Sequence, residues 1–292
     1  MAGLRELRGR IKSVKNTRKI TYAMKLVSAT KLRKSQESSQ LARAYSSEIW
    51  RLLSEVLAAG GKDLSHPLIE SRAKVKRVCL LIISANRGLC GAYNSNVNKA
   101  VVRVMKGIKN DNAEVEFDAI ILGRKAAEFF RNKKMPYSQA FENLTEDPTT
   151  WPVTEVCEEI ELAYQAGKYD QVLLVYTQAR SALSMSVKTD QILPLELKDS
   201  AEKIAPTGEP IFKPSLEELF ATLVPRAMRT KVRQACLEAK ASEHGARMTA
   251  MDSATKNAGD LTKRLTQKLN KLRQSGITGE ILDIVGGAEA IK

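Results

Sequence analysis

Proline is missing from the first 66 residues of this 292-residue chain and from its last 67. All nine prolines fall between Pro67 and Pro225, so both flanks are free of the strongest helix breaker. Cysteine is scarce and unpaired: Cys79, Cys90, Cys157 and Cys236 form no C-x-x-C motif, which excludes a disulfide framework. With only His66 and His244 beside them, no zinc-ligand spacing exists, and a reducing compartment and a metal-free chain are expected. Aromatic residues make up 5% of the chain. Long apolar runs are also missing: the longest uncharged one, Val78 to Ala85, is far short of the roughly 18 residues that a membrane-spanning helix needs. No signal-peptide core lies near Met1. The Arg-rich start resembles a transit peptide in composition, but its helical pattern runs on past residue 50, unlike a removable leader.

What the chain has in excess is positive charge, and it is unevenly placed. The formal net charge is +14. Residues 1–60 carry 13 basic and 4 acidic side chains, residues 61–209 carry 20 of each, and residues 210–292 carry 14 and 9. The division predicts a neutral globular domain, about 150 residues long, between two basic helical segments: 1–60, 61–214 and 215–292.

In the first flank Leu4, Leu7, Ile11 and Val14 step by three and four, and the apolar stripe resumes at Ile20, Met24 and Val27, then at Leu41, Tyr45, Ile49, Leu52 and Val56. The pattern predicts one helix stopped by Gly60-Gly61. In the last flank the steps run Leu223, Ala227, Thr230, Gln234, Leu237, Ala241, His244, Met248, Met251, Ala254, Ala258, Leu261, Leu265, Leu269 and Leu272, a sustained coiled-coil seam. At 1.5 Å per residue the two helices extend roughly 80 and 105 Å, so they are expected to project from the domain. Tethered by their inner ends, they predict an antiparallel two-helix coiled coil whose longer C-terminal helix ends in an unpaired tip. Thr230, Gln234, Ala241, His244 and Ala258 interrupt that seam and bury little apolar area. The pair therefore needs a surrounding partner, and His244 is expected as a half-buried seam residue.

Val78–Ser84, Glu116–Leu122 and Gln171–Thr177 are short aliphatic runs typical of strands covered on both faces. Helical patterns separate them near 94–106, 124–132 and 153–165. The alternation predicts an α/β domain with a mostly parallel sheet, to which residues 184–197 add an edge strand.

Four features invite a chemical reading. The turn Ser84 to Gly91 follows a strand, as phosphate loops do, but Gly88-x-x-Gly91 is neither G-x-G-x-x-G nor a Gly-Lys-Ser/Thr loop; a turn packed on a neighbouring element is the plainer expectation. Cys90 beside Arg87 lacks a nearby histidine, so catalysis by this chain is not expected. Arg5, Arg8, Lys12 and Lys15 each follow a stripe residue by one position and form a ridge about 100° from the seam. Such a ridge suits a solvated face, a nucleic-acid backbone or an acidic protein. Residues 1–60 hold only Tyr22, Tyr45 and Trp50 as aromatics, which leaves no base-stacking platform. Finally, Ile277, Ile281, Leu282, Ile284 and Val285 make an apolar tip that needs enclosure.

The stretch from Ile277 to Ala290 reads I-T-G-E-I-L-D-I-V-G-G-A-E-A. It resembles the C-terminal signature of the gamma subunits of F-type ATP synthases, I-T-x-E-x-x-D-x-x-x-G-A-x-A. Arg10 to Thr17, Lys19 to Lys25, Ser28 to Lys34, Asn86 to Asn94 and Ala241 to Met251 resemble the same family in order, so the likeness spans essentially the whole chain. The resemblance implies a non-catalytic rotor shaft, with no cofactor, built from an antiparallel coiled coil and a central Rossmann-like α/β domain. Its coil turns in a hexamer of alpha and beta subunits, and its domain sits on the membrane c ring with the epsilon subunit. The implied location is the cytoplasmic face of a bacterial inner membrane. By resemblance Arg273 and Gln274 contact a beta loop, Arg247, Thr278 and Glu280 are functionally sensitive, and Met24 and Lys25 meet an acidic lever of beta. Ile211, Phe212 and Lys213 fall near the domain foot. The segment Leu195 to Phe212 lacks the cysteine pair of plant photosynthetic forms, so thiol regulation is not expected.

Overall fold

The computed structural model describes residues 2–60, 64–179, 185–196, 213 and 215–289. Helix α1 spans Ala2–Gly60 and helix α5 spans Leu216–Glu289. Between them lie β1 (Arg77–Ile83), α2 (Tyr93–Asp111), β2 (Glu116–Leu122), α3 (Arg124–Lys133), β3 (Gln139–Phe141), a 3-10 turn (Pro148–Thr150), α4 (Val153–Gln165), β4 (Gln171–Ala179) and β5 (Met185–Leu193). The chain divides into two compact units, Met1–Ser28 with Arg247–Lys292 and Ala29–Ala246.

The first unit is an antiparallel helix pair. Lys25 meets Asp252, Thr21 bonds Thr255 and Gly259 lies against the guanidinium of Arg18, so one helix ascends as the other descends. Its buried positions include Leu7, Ile11, Thr21, Ser28 and Met251. The hydroxyls among them are satisfied on their own helices, Ser28 Oγ donating to the Met24 carbonyl and Thr21 to Arg18, as is that of the half-buried Thr255, which donates to Met251. Small side chains bonded to their own helix can sit on a seam without an orphaned polar group.

The stripe read from the apolar residues is therefore shifted. Starting from Leu4, Leu7, Ile11 and Val14, the inward face of α1 keeps a strict three–four alternation through Thr21, Ser28, Leu32, Ser39, Ser46, Ile49, Leu53 and Val56. Ile20, Val27, Leu41, Tyr45 and Leu52, expected on the seam, are exposed instead. On α5 the same shift leaves Leu261 exposed, beside the half-buried Thr262. A heptad seam is set by phase, and Ser and Thr hold that phase where a search for apolar residues changes register.

In the second unit the sheet order is β3-β2-β1-β4-β5, parallel except for the antiparallel edge pair β4–β5. Side chains of β1 alternate between two cores. Val78, Leu80 and Ile82 join Val97, Val101 and Phe130 of α2 and α3 on one face. Cys79, Leu81 and Ile83 join α4 and the segments 49–56 and 220–239 of the long helices on the other. The three expected parallel strands, the edge strand and the three helices are all present; Glu116–Leu122 and Val153–Gln165 keep their expected ends and the others shift by a few residues. Strand β3 was not foreseen, because three residues (Gln-Ala-Phe) carry no readable run. Proline is excluded from α1 but not from α5, which holds Pro225 inside the helix. The roughly 3 kcal/mol that an interior proline costs is offset by packing around it, since Phe220, Val224, Ala227 and Met228 are fully buried.

Candidate functional surfaces

In an open α/β sheet ligands bind outside the carboxyl ends of the strands, where successive connections diverge. Here the connections from β1 and to β4 diverge between those two neighbouring strands. That crevice is filled by α5. The Tyr93 hydroxyl, entirely buried, donates to the Ala239 carbonyl at 3.1 Å. Ser242 Oγ donates to the Thr177 carbonyl at 3.1 Å, and Gln178 Nε2 donates to Glu238 at 2.9 Å. Ala85, Cys90 and Tyr93 form a small apolar cluster with Ala246. The Ser84–Gly91 turn thus packs on a helix, as its spacing suggested. Cys90 is buried in that contact, and burial pushes the thiols of Cys79 and Cys157 up to about 12, far from a reactive thiolate. Among the described residues no cluster could hold a metal ion.

Helix α5 is enclosed on all sides from Leu237 to Gly245, although this stretch holds Glu238, Lys240, Ser242, Glu243 and His244. Buried charges need partners, and they have them. Glu238 accepts from Arg43 at 2.9 Å as well as from Gln178. Lys240 donates to Glu243 at 3.1 Å. Glu146, on the loop after β3, sends one carboxylate oxygen toward Lys31 of α1 at 3.0 Å, Lys240 at 3.6 Å and His244 at 3.7 Å. Partial burial alone would raise the Glu146 carboxyl. The Lys31 hydrogen bond and the charges of Lys240, Lys31 and His244 bring it down to about 2. His244 is fully buried rather than half-buried. The remaining members of this knot were missed in the sequence, where the only signal is a run of charged residues inside a helical seam.

The surface residues lie as follows. Arg5, Arg8, Lys12 and Lys15 are exposed, as a ridge off the seam requires. Met24, Lys25 and Arg247 are half-buried. Lys25 bonds Asp252 at 2.6 Å, which raises the lysine, while hydrogen bonds from Lys25 and Lys256 hold Asp252 at about 2. The sequence assigned Lys25 a partner on another subunit and missed this one on its own chain. Arg273, Gln274, Thr278 and Glu280 are exposed, and Thr278 Oγ1 donates to the Gln274 carbonyl at 3.0 Å. Ile277, Ile281, Leu282, Ile284 and Val285 are each at least half exposed. Lys213 is exposed, whereas Ile211 and Phe212 lie outside the described residues.

Together these define a class: in one unit an antiparallel helix pair, in the other a Rossmann-like domain whose ligand crevice is closed by one of its own helices. The chain belongs to the ATP synthase family, whose model matches residues 3–291. It is similar to the ATP synthase gamma chain of Pelotomaculum thermopropionicum, with 42% identity over 292 residues and all of both chains covered. The ATP synthase gamma chain of Desulforamulus reducens is 41% identical over 292 residues, again with full coverage of both. Among solved structures, a chain of the Euglena gracilis mitochondrial ATP synthase (OSCP/F1/c-ring, rotational state 3) superposes with a TM-score of 0.65 at 18% identity, covering 99% of this chain and 95% of that one. A chain of the Tetrahymena thermophila mitochondrial ATP synthase central stalk and c-ring gives 0.55 at 26% identity, covering 80% and 99%.

Proposed function

We infer that this chain is the central rotor shaft, the gamma subunit, of a rotary F-type ATP synthase, and that it is not itself an enzyme. The observation that carries this is the end-to-end likeness to gamma chains. The closed crevice of the α/β domain agrees with it. Alpha and beta subunits surround the shaft, and epsilon and the c ring hold its foot. Rotation of the ring turns the shaft, whose asymmetry carries the beta sites in turn through binding, synthesis and release. The chemistry belongs to beta.

No helix among the described residues is long and apolar enough to cross a membrane, so association with the membrane runs through the complex. We place that complex on the cytoplasmic face of a bacterial inner membrane, with protons as the coupling ion. Residues 1–60 and 215–292 form the shaft and 61–214 the foot. Within the shaft, Met24, Lys25, Arg247, Arg273, Gln274, Thr278 and Glu280 make the contacts with the stator. The exposed ridge Arg5, Arg8, Lys12 and Lys15 faces acidic levers, and the apolar tip turns in a hydrophobic sleeve. Exposed charge pairs contribute about 0 to 1 kcal/mol each, which allows such contacts to steer rotation without locking it.

Affinity capture of the tagged chain from its own cells tests the assignment: alpha, beta and epsilon subunits are expected to co-purify. Retention on DNA that falls steeply with salt, in place of those subunits, would support the nucleic-acid alternative.

A further inference from the structure

Torque passing between the α/β domain and the two long helices must cross the interface where they pack. Most of that interface is apolar, and apolar contact resists separation but is non-directional. Close packing of that core resists sliding, and polar groups of defined geometry add directional resistance to it.

We propose that Glu146 is a positioning residue that locks the α/β domain tangentially to both long helices and so stiffens the shaft against twist. The proposal rests on the rotor reading. Its carboxylate leaves the domain and meets a lysine on each helix, Lys31 on α1 and Lys240, beside His244, on α5. Lys240 and His244 are enclosed, at 5% and 3% side-chain exposure, so their heads cannot follow a displaced carboxylate into solvent. The loop that carries Glu146 is braced on both sides. Asn86 Nδ2 donates to the Leu144 carbonyl at 2.7 Å, and Trp151 Nε1 donates to the Thr145 carbonyl at 3.0 Å. The next residue, Asp147, accepts from the backbone N–H of Thr149 at 3.0 Å and from its hydroxyl at 2.7 Å. A charge held on a braced loop between Lys31 on one helix and the enclosed Lys240 on the other resists lateral displacement in either direction of rotation.

The test uses the assembled complex with its alpha–beta hexamer immobilised and a probe on the α/β domain, whose angular fluctuations report torsional stiffness. Glu146→Gln removes the carboxylate charge, leaving the Lys31 bond with a neutral acceptor and abolishing the charge attraction to Lys240, so the angular variance is expected to rise by up to about twofold. Unloaded ATP hydrolysis should keep its kcat and KM, while proton pumping against a rising gradient should stall earlier. Glu146→Asp, which keeps the charge, should restore part of the stiffness. Lys31→Gln, at the exposed end of the knot, should soften the shaft in the same direction with no loss of assembly, and it decides the matter if Glu146→Gln does not assemble. Unchanged variance for Lys31→Gln, or for an assembled Glu146→Gln, overturns the proposal. Failure of the unaltered chain to co-purify with alpha and beta subunits would instead overturn the rotor reading.

Discussion

Leu52 and Leu53 are neighbours of the same type on α1, and they separate two accounts of that helix. Read as an apolar stripe, the sequence puts Leu52 on the inward face; in the structure Leu52 is 40% exposed and Leu53 is 0% exposed. Leu53 lies in the core shared by α1, α4, α5 and the sheet. Truncating a fully buried leucine to alanine loses the transfer energy of the removed carbons and leaves a cavity, about 2.7 to 5 kcal/mol together. Leu52 opens to solvent, so no closed cavity forms. With three-fifths of its surface covered, and full burial contributing about 1.5 to 3 kcal/mol, its truncation costs about 1 kcal/mol. Each kcal/mol shifts Tm by about 2 to 4 °C in a domain of this size. Leu53→Ala is thus expected to lower the melting temperature of the purified chain by roughly 5 to 20 °C, and Leu52→Ala by only about 2 to 4 °C. Thermal unfolding followed by circular dichroism at 222 nm, at one protein concentration and salt, measures both. A Leu52→Ala shift equal to or larger than that of Leu53→Ala would refute the phase assigned to α1 and every seam residue derived from it.

Other expectations follow from single sites. Gly123 has φ +119°, and an added Cβ would stand 2.2 Å from the Ser84 carbonyl oxygen. Backbone strain alone costs about 1 to 3 kcal/mol there, so Gly123→Ala should unfold at clearly lower denaturant, whereas Gly88→Ala, with open space around it, should match the unaltered chain. Glu146 is held at about 2, below its ordinary 4.5, so its stabilisation is full above the unfolded value and is lost as pH falls through the window from 4.5 to about 2. Because the side chain is 49% exposed, that contribution is screened, and the gap between the unaltered chain and Glu146→Gln should narrow in acid and in high salt by less than about 1 kcal/mol; a gap that widens toward pH 3 contradicts the sign. Removing the positive charge at Arg273 together with the amide at Gln274 should depress ATP synthesis in reconstituted vesicles, and full synthesis would remove both from the stator contact.

Much of the architecture could be read directly. Glu116–Leu122 and Val153–Gln165 match their elements at both ends, because continuous aliphatic runs and long amphipathic periods are local signals. The exposure of Arg5, Arg8, Lys12 and Lys15 was also legible, because a helix converts spacing into direction. The knot around Glu146 was not. It joins residues 31, 146, 240 and 244, and sequence carries no record of which distant charges will share a carboxylate.

Composition and periodicity alone determined that two long helices flank a neutral α/β domain. Helix propensity, strand hydrophobicity and the placement of charge are properties of neighbouring residues, and no packing information is needed to read them. Tertiary structure alone decided which face of each long helix turns inward, because small polar residues such as Thr21, Ser28, Ser39 and Ser46 are buried on α1 while Ile20 and Val27 are exposed, and the Thr21 and Ser28 hydroxyls are bonded to their own helix. It also decided that the crevice of the sheet would be closed by the helix segment around Ala239 and Ser242. These two residues lie more than sixty positions beyond Thr177 and are held by bonds that only the packed chain can form.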